Sequence, residues 1–109
     1  MNRLVLAATL VERAATRYTP AGLPALDLVL KHESTVSEDG QPRQVSFEIK
    51  AVAIGAVTQG LLSLAMGTAL NTAGFITRTR NGKGLLFHIT SVESAAQEVA
   101  AQAAGSGSN

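Results

Sequence analysis

The chain contains no cysteine and no tryptophan among its 109 residues, and its only aromatic residues are one tyrosine and three phenylalanines. Without cysteine, neither a disulfide framework nor a thiolate metal site can form, which fits a reducing cytoplasm. The core must therefore be held together by burial of apolar side chains alone. The length is enough for one such core, so we expect a single domain.

Long hydrophobic runs are also missing. The apolar start MNRLVLAATL, residues 1–10, is interrupted soon afterwards by Glu12 and Arg13. It is too short to span a membrane and lacks the small-residue cleavage site of a signal peptide. We therefore expect no membrane association and a cytoplasmic location.

Acidic residues are absent from one long interval, between Glu48 and Glu93. Four basic residues fall inside it: Lys50, Arg78, Arg80 and Lys83. The formal net charge of +1 is too small to make the whole protein a polycation. Any affinity for nucleic acid must therefore come from basic residues that share one face.

Motifs for catalysis, metals and nucleotides are incomplete. His32-Glu33 begins like a zinc-protease helix, but Val36 occupies the position of the second histidine. Gly82-Lys83-Gly84 lacks the hydroxyl residue and the following helix of a phosphate loop. We therefore predict no catalytic residue, no metal site and no cofactor, and expect that the protein is not an enzyme.

Alternation of apolar side chains predicts five strands. The pattern is clearest in VSFEIKAV, where Val45, Phe47 and Ile49 are predicted to face the core. The first strand is apolar on both sides, which is typical of a closed barrel. The predicted strands cover residues 3–11, 25–32, 45–52, 68–80 and 85–92.

Three connections carry turn or loop signals. The segment RYTPAG, residues 17–22, places Pro20 and Gly22 where a β-turn favours them. Residues 33–44 are polar and contain EDG and a proline, which predicts a long mobile loop. Asn81-Gly82 predicts a hairpin turn, because both residues tolerate positive φ.

One segment has helical spacing. Val57, Leu61 and Leu64 form a stripe in residues 54–67, which predicts a short helix ended by Gly67. The order β-β-β-α-β-β predicts an all-β OB-fold, a five-stranded Greek-key barrel with a helix between the third and fourth strands. An SH3-like barrel is the alternative. The domain is expected to cover residues 1–94, followed by an alanine-rich, then Gly/Ser-rich flexible tail over 95–109.

An OB-fold binds single strands across its second and third strands and the loops beside them. Basic residues are predicted to converge there, and Tyr18 is the natural exposed ring for stacking. Because rings are scarce, we expect a mainly electrostatic grip. The predicted nucleic-acid-binding residues are Arg17, Tyr18, Lys31, Arg43, Lys50, Arg78, Arg80 and Lys83. The alternative is that these cations only keep a protein-binding module in solution.

Several segments resemble the bacterial single-stranded-DNA-binding OB-fold family, most closely its primosomal members. They are NRLVL at 2–6, RYTPAG at 17–22, LVLKHES at 28–34, GFI at 74–76 and the basic Asn-Gly hairpin. The resemblance covers residues 2 to about 94. It implies a homodimer in the bacterial cytoplasm that binds single-stranded DNA and assists the primosomal helicase PriA and other primosome proteins in restarting replication.

By position, the family's basic binding residues fall on Arg17, Arg43, Arg78 and Arg80. Where the family can present aromatic rings, this sequence has Ser46 and Gln41, and Glu33 replaces an expected basic residue. These departures predict weaker binding to DNA than in the family at large. They also predict that the protein acts more through its contact with the helicase. A general single-strand-binding or RNA-binding OB protein remains an alternative, because stacking and phosphate contacts do not separate DNA from RNA.

Overall fold

A computed structural model describes residues 1–94, and the predicted C-terminal tail lies outside them. The strands are β1 (Leu4–Arg13), β2 (Arg17–Tyr18), β3 (Pro24–Glu38), β4 (Gln41–Ile54), β5 (Ala69–Arg78) and β6 (Leu85–Ser94). A 3-10 turn, Gly55–Thr58, leads into one short helix, α1 (Gln59–Leu62). All five predicted strands are confirmed, and most of them extend beyond their predicted ends.

The five long strands close into a barrel. β1 pairs antiparallel with both β3 and β5, β3 with β4, and β5 with β6. A parallel pairing of β4 with β6 completes the circle, and β2 only lengthens the edge beside β3. This barrel, with its helix between the third and fourth long strands, confirms the predicted OB-fold.

Aliphatic side chains fill the barrel, with one aromatic ring among them. Leu10, Leu26, Leu30, Leu61 and Phe87 are all fully buried. The members alternate along each strand, because successive side chains of a strand point to opposite faces. Each strand therefore sends one set of side chains into the core and the other to the outer face, where most of them are accessible, although Ala25 and Val52 are covered.

The helix is shorter than the predicted residues 54–67. It ends at Leu62, and Gly67 lies beyond it with a φ of 87°. Gly60 lies in its only turn, and glycine lowers helix stability by about 1 kcal/mol relative to alanine. Arg13 compensates from β1, because its guanidinium donates hydrogen bonds to the carbonyl oxygens of Leu61 and Leu64.

The predicted loop over residues 33–44 is wrong. β3 and β4 continue through this segment as a paired hairpin, with Glu38 opposite Gln41. Asp39 (φ 52°) and Gly40 (φ 74°) form the two-residue connection, and Asp-Gly is a preferred sequence for such a turn. The polar composition reflects exposure on both faces, because this end of the hairpin projects beyond the core.

The predicted turn at Pro20 is confirmed. The amide of Gly22 donates to the carbonyl of Thr19 at 2.8 Å, and the Leu23 amide donates to the same residue's Oγ1 at 3.2 Å. The turn returns the chain so that Arg17 opposes Ala25 and Tyr18 opposes Pro24. It thereby fixes both predicted binding residues beside β3.

Candidate nucleic-acid interface

The outer face of the sheet carries two rows of side chains that run across four strands. Residues directly opposite in paired strands share a face, so the registers define the rows. In the first row Val29 is opposite Lys50, and Leu86 is opposite Thr77; Lys50 and Leu86 come one position before the first pair of the β4–β6 ladder, Ala51 and Phe87. The second row contains Asp27, Val52, His88 and Phe75. Along each strand the rows are two residues apart, or roughly 7 Å.

Arg17 reaches this face through an ion pair. Its Nε donates to Oδ2 of Asp27 at 2.7 Å, and its Nη2 donates to Oδ1 at 3.1 Å. The hydrogen bond from Arg17 lowers the pKa of Asp27, while the same contact raises the pKa of Arg17. Arg17 is thus held in place, but the carboxylate of Asp27 already neutralises much of its positive charge.

Lys31 and Lys50 also lie on the outer face, in different electrostatic settings. Nζ of Lys31 lies 3.2 Å from Oε1 of Glu33, and Glu48 is opposite Lys31 across the β3–β4 ladder. Lys50 is exposed and forms no ion pair with any of residues 1–94. Lys50 is therefore the cation of this face that is most available to a phosphate.

Arg43 does not join the other basic residues. It opposes Val36, and this pair lies on the opposite face of the hairpin from Lys31 and Lys50. Its Nη2 lies 3.0 Å from Oε1 of Glu38. The prediction that all the basic residues converge is therefore wrong for Arg43, because strand alternation turns it away. Alternation also places Arg78, opposite Leu85, on the other face of β5 from Thr77, at the exposed end of the strand.

Three cations lie at the connection between β5 and β6 without a carboxylate partner among the described residues: Arg78, the last residue of β5, and Arg80 and Lys83 in the loop over residues 79–84, which together are called the β5–β6 loop cations. All three are exposed. The interval without acidic residues explains this local excess of positive charge. The loop leaves the barrel at the end of the sheet nearer to Lys50 than to Val52.

Hydrogen bonds organise this loop. Oδ1 of Asn81 accepts from Oγ1 of Thr79 at 2.7 Å and from the amide of Lys83 at 3.0 Å. The Thr79 amide donates to the Gly84 carbonyl at 2.9 Å. Gly82 has a φ of 74°, whereas Asn81 does not have a positive φ. The predicted Asn-Gly hairpin is confirmed as a connection, but Asn81 shapes it through its side chain.

The aromatic residues differ from the prediction in two places. Tyr18 is 70% exposed, as predicted. Phe47, predicted to face the core, is 39% exposed, because its part of the hairpin lies beyond the barrel interior; its ring contacts His32 with centroids 5.1 Å apart. Phe75 is 38% exposed and was assigned no role from sequence.

Phe75 and His88 form a stacked pair on the outer face. Their ring centroids are 4.7 Å apart and their planes differ by 13°. Burial lowers the pKa of His88. The two residues are 13 positions apart in the chain, so their contact depends on the β5–β6 register, in which they are directly opposite. Only the alternation of exposed positions on β5 and β6 could have suggested it.

Within residues 1–94, no group of three or more histidine and acidic side chains is placed to hold a metal ion. Among the same residues, no helix is long and apolar enough to cross a membrane. The surface features of the described chain that could bind a ligand are thus the cations, both ion-paired and free, the exposed aromatic rings and the β3–β4 hairpin.

Comparison with known proteins identifies relatives for nearly all of the described chain. A family model described as another single-strand binding protein family matches residues 2–91. Replication restart protein PriB of Bordetella pertussis is 48% identical over 80 residues, which cover 73% of this chain and 75% of the relative. PriB of Nitrosomonas europaea is 32% identical over 81% of this chain and 82% of its own. The solved structure of PriB from Ralstonia solanacearum superposes with a TM-score of 0.79 at 42% identity, covering 87% of this chain and 98% of that chain.

Proposed function

We propose that this chain, which belongs to the single-strand binding protein family, is a replication restart protein of the PriB kind that binds single-stranded DNA. It acts as a binding protein and not as an enzyme, in the cytoplasm. The observation that carries this proposal is the β5–β6 loop, where Arg78, Arg80 and Lys83 have no acidic partner among residues 1–94. Phosphates are the ligands that such a loop attracts.

The grip on DNA is mainly electrostatic. Lys50 adds a fourth free cation, while Arg17 and Lys31 must exchange a carboxylate for a phosphate before they contribute. If about three phosphates are neutralised, the logarithm of the association constant falls with the logarithm of salt at a slope of roughly −2. Fluorescence anisotropy with labelled oligothymidine at several salt concentrations tests this. A lack of binding at low salt would remove the proposal.

The loop is tested by replacing Arg78 and Arg80 together with glutamine. We expect weaker binding and a slope reduced by roughly 1.4, which is two released counterions on a single strand. Arg43→Gln is the control, because it removes one exposed arginine from the other face of the hairpin. If net charge alone governed binding, the control would show half the loss of the loop variant, and a loss of that size or larger would contradict a specific loop contact.

The protein is also proposed to form a homodimer. On the side away from β5, residues 4–8 of β1 have no strand partner among the described residues, and Val5 is 67% exposed. An unpaired strand edge can pair with the same edge of a second copy about a two-fold axis. Sedimentation equilibrium of the wild type and of Val5→Lys tests this. A monomeric wild type, or a variant that dimerises equally well, would argue against this edge.

Assistance to the primosomal helicase PriA and other primosome proteins is the remaining part of the proposed role. A second candidate function is a protein-interaction module with weak DNA binding. Two exposed apolar side chains favour this function, Val36 (47% exposed) and Phe47 (39% exposed), which lie on the face of the hairpin that carries Arg43. If the Arg78/Arg80 variant binds DNA normally but no longer stimulates the helicase, the loop is a protein contact. Competition between oligothymidine and oligouridine separates DNA from RNA binding.

A further inference from the structure

The stacked pair of Phe75 and His88 lies at one end of the outer face. Binding of phosphates by the cations gives this pair no role. Phe75 is not packed into the core; its ring stacks on His88 and remains 38% exposed. An exposed phenylalanine that rests on a second ring is a preformed surface. Its position is set before any ligand arrives, so little side-chain entropy is lost on binding.

The surroundings of the pair are apolar but adjoin free positive charge. An open groove beside it is lined by Val52, Ile54, Val57 and Thr90. Lys50 occupies the next row of the same face, two residues before Val52 on β4, and β6 lies between β4 and the strand that carries Phe75. With neighbouring strands about 4.8 Å apart and rows roughly 7 Å apart, the Cα atoms of Lys50 and Phe75 are separated by roughly 12 Å. A flat apolar ligand that also carries a negative charge on the side facing Lys50 fits this combination. A nucleotide, with its base and its phosphate, is such a ligand.

The backbone holds the pair in place. β5 approaches β6 so closely at Gly74 that an added Cβ would lie 1.7 Å from the carbonyl oxygen of His88. This contact precedes Phe75 directly and follows from a register shift between Ala73 and Gly74. Burial lowers the pKa of His88, which favours the uncharged form of the ring beneath the phenylalanine.

We propose that Phe75, supported by His88, is a stacking site for one base of a DNA strand whose phosphate lies at Lys50. The proposal rests on the proposed function and adds the place where a base is held. The strand then runs from the cations of the β5–β6 loop, past Lys50, to Phe75. This assigns a second stacking position, besides the predicted one at Tyr18, to a surface that holds DNA mainly by charge.

Phe75→Leu tests the proposal, because leucine keeps the apolar side chain and removes the ring. With labelled oligothymidine of roughly 16 nucleotides, the upper site size of an OB-fold, we expect binding to weaken about fivefold or more at constant salt. The salt slope stays unchanged, because no charge is altered. Phe75→Tyr should keep wild-type affinity. Phe47→Leu, at an equally exposed phenylalanine beside a histidine, should leave affinity within about twofold.

An abasic strand of the same length completes the experiment. Wild type and Phe75→Leu should bind it equally, since it has no base to stack. Equal affinity of the two proteins for oligothymidine would overturn the proposal. So would an equal loss on both strands, or a loss confined to binding of the helicase, which would make the pair a protein contact. Failure of the proposed function is distinguishable, since the wild type itself would then not bind oligothymidine.

Discussion

Arg17 on β2 and Asp27 on β3 form a two-pronged ion pair, with nitrogen–oxygen distances of 2.7 and 3.1 Å, on the outer face of the sheet. Both side chains are about half exposed, at 52% and 48%. The pair therefore contributes little to stability, because water screens it. Its larger consequence is for binding, since the Asp27 carboxylate is bound to the guanidinium group of Arg17, to which a phosphate would otherwise bind.

Asp27→Asn releases Arg17. We expect tighter binding of single-stranded DNA, by about two- to fivefold at low salt, and a salt slope steeper by roughly 0.7. Anisotropy titrations at several salt concentrations measure both quantities. Glu38→Gln is the control, because it releases Arg43 on the opposite face of the hairpin. A similar gain in that variant would mean that net charge, and not position, governs binding.

The same pair predicts a pH dependence of stability. The hydrogen bond from Arg17 lowers the pKa of Asp27 below its ordinary value. The stabilisation is therefore fully present above the unfolded-state pKa of about 3.9 and is lost as the pH falls through the lower folded-state pKa. Near pH 7 we expect wild type to exceed Asp27→Asn in free energy of unfolding by less than about 1 kcal/mol. Urea denaturation should show this gap closing below about pH 4; a gap that widens in acid would contradict it.

Gly74→Ala should be severely destabilising. The new Cβ would overlap the His88 carbonyl oxygen, and neither backbone can move without disturbing the β5–β6 ladder. We expect a loss of about 3 kcal/mol or more in the free energy of unfolding, measured by chemical denaturation. Gly84→Ala is the matched control. Its Cβ would meet only the Thr79 side chain at 3.7 Å, so its effect should stay within about 0.5 kcal/mol.

Arg13→Met should reduce stability without affecting DNA binding. The variant removes the hydrogen bonds to the carbonyls of Leu61 and Leu64, which should cost about 1.5–3 kcal/mol. Thermal and urea denaturation measure this loss, and anisotropy checks binding. Arg3→Met removes the same charge from an exposed arginine that has no side-chain partner among residues 1–94, so its stability should match wild type. Equal losses in the two variants would contradict the capping role of Arg13.

Local sequence patterns predicted much of the fold. Alternation located the five strands, and helical spacing located the short helix, because both patterns depend on residues close together in the chain. The hairpin at Asp39-Gly40 was missed, since a polar composition was interpreted as a loop although Asp-Gly is also a hairpin signal. Phe47 was assigned to the core from its alternation alone. Alternation gives the face of a residue but not whether the core extends that far.

The order of the long strands, the barrel, the interval without acidic residues and the family resemblance all follow from patterns within the sequence. Which cations are free depends instead on the folded arrangement of the chain. The strand registers place Asp27 beside Arg17 and Arg43 on the opposite face of the hairpin. Arg13 donates a hydrogen bond to the helix carbonyl of Leu61. Cross-strand register also stacks Phe75 on His88. Charges and rings act through neighbours in space, and those neighbours are set by pairing between distant segments of the chain.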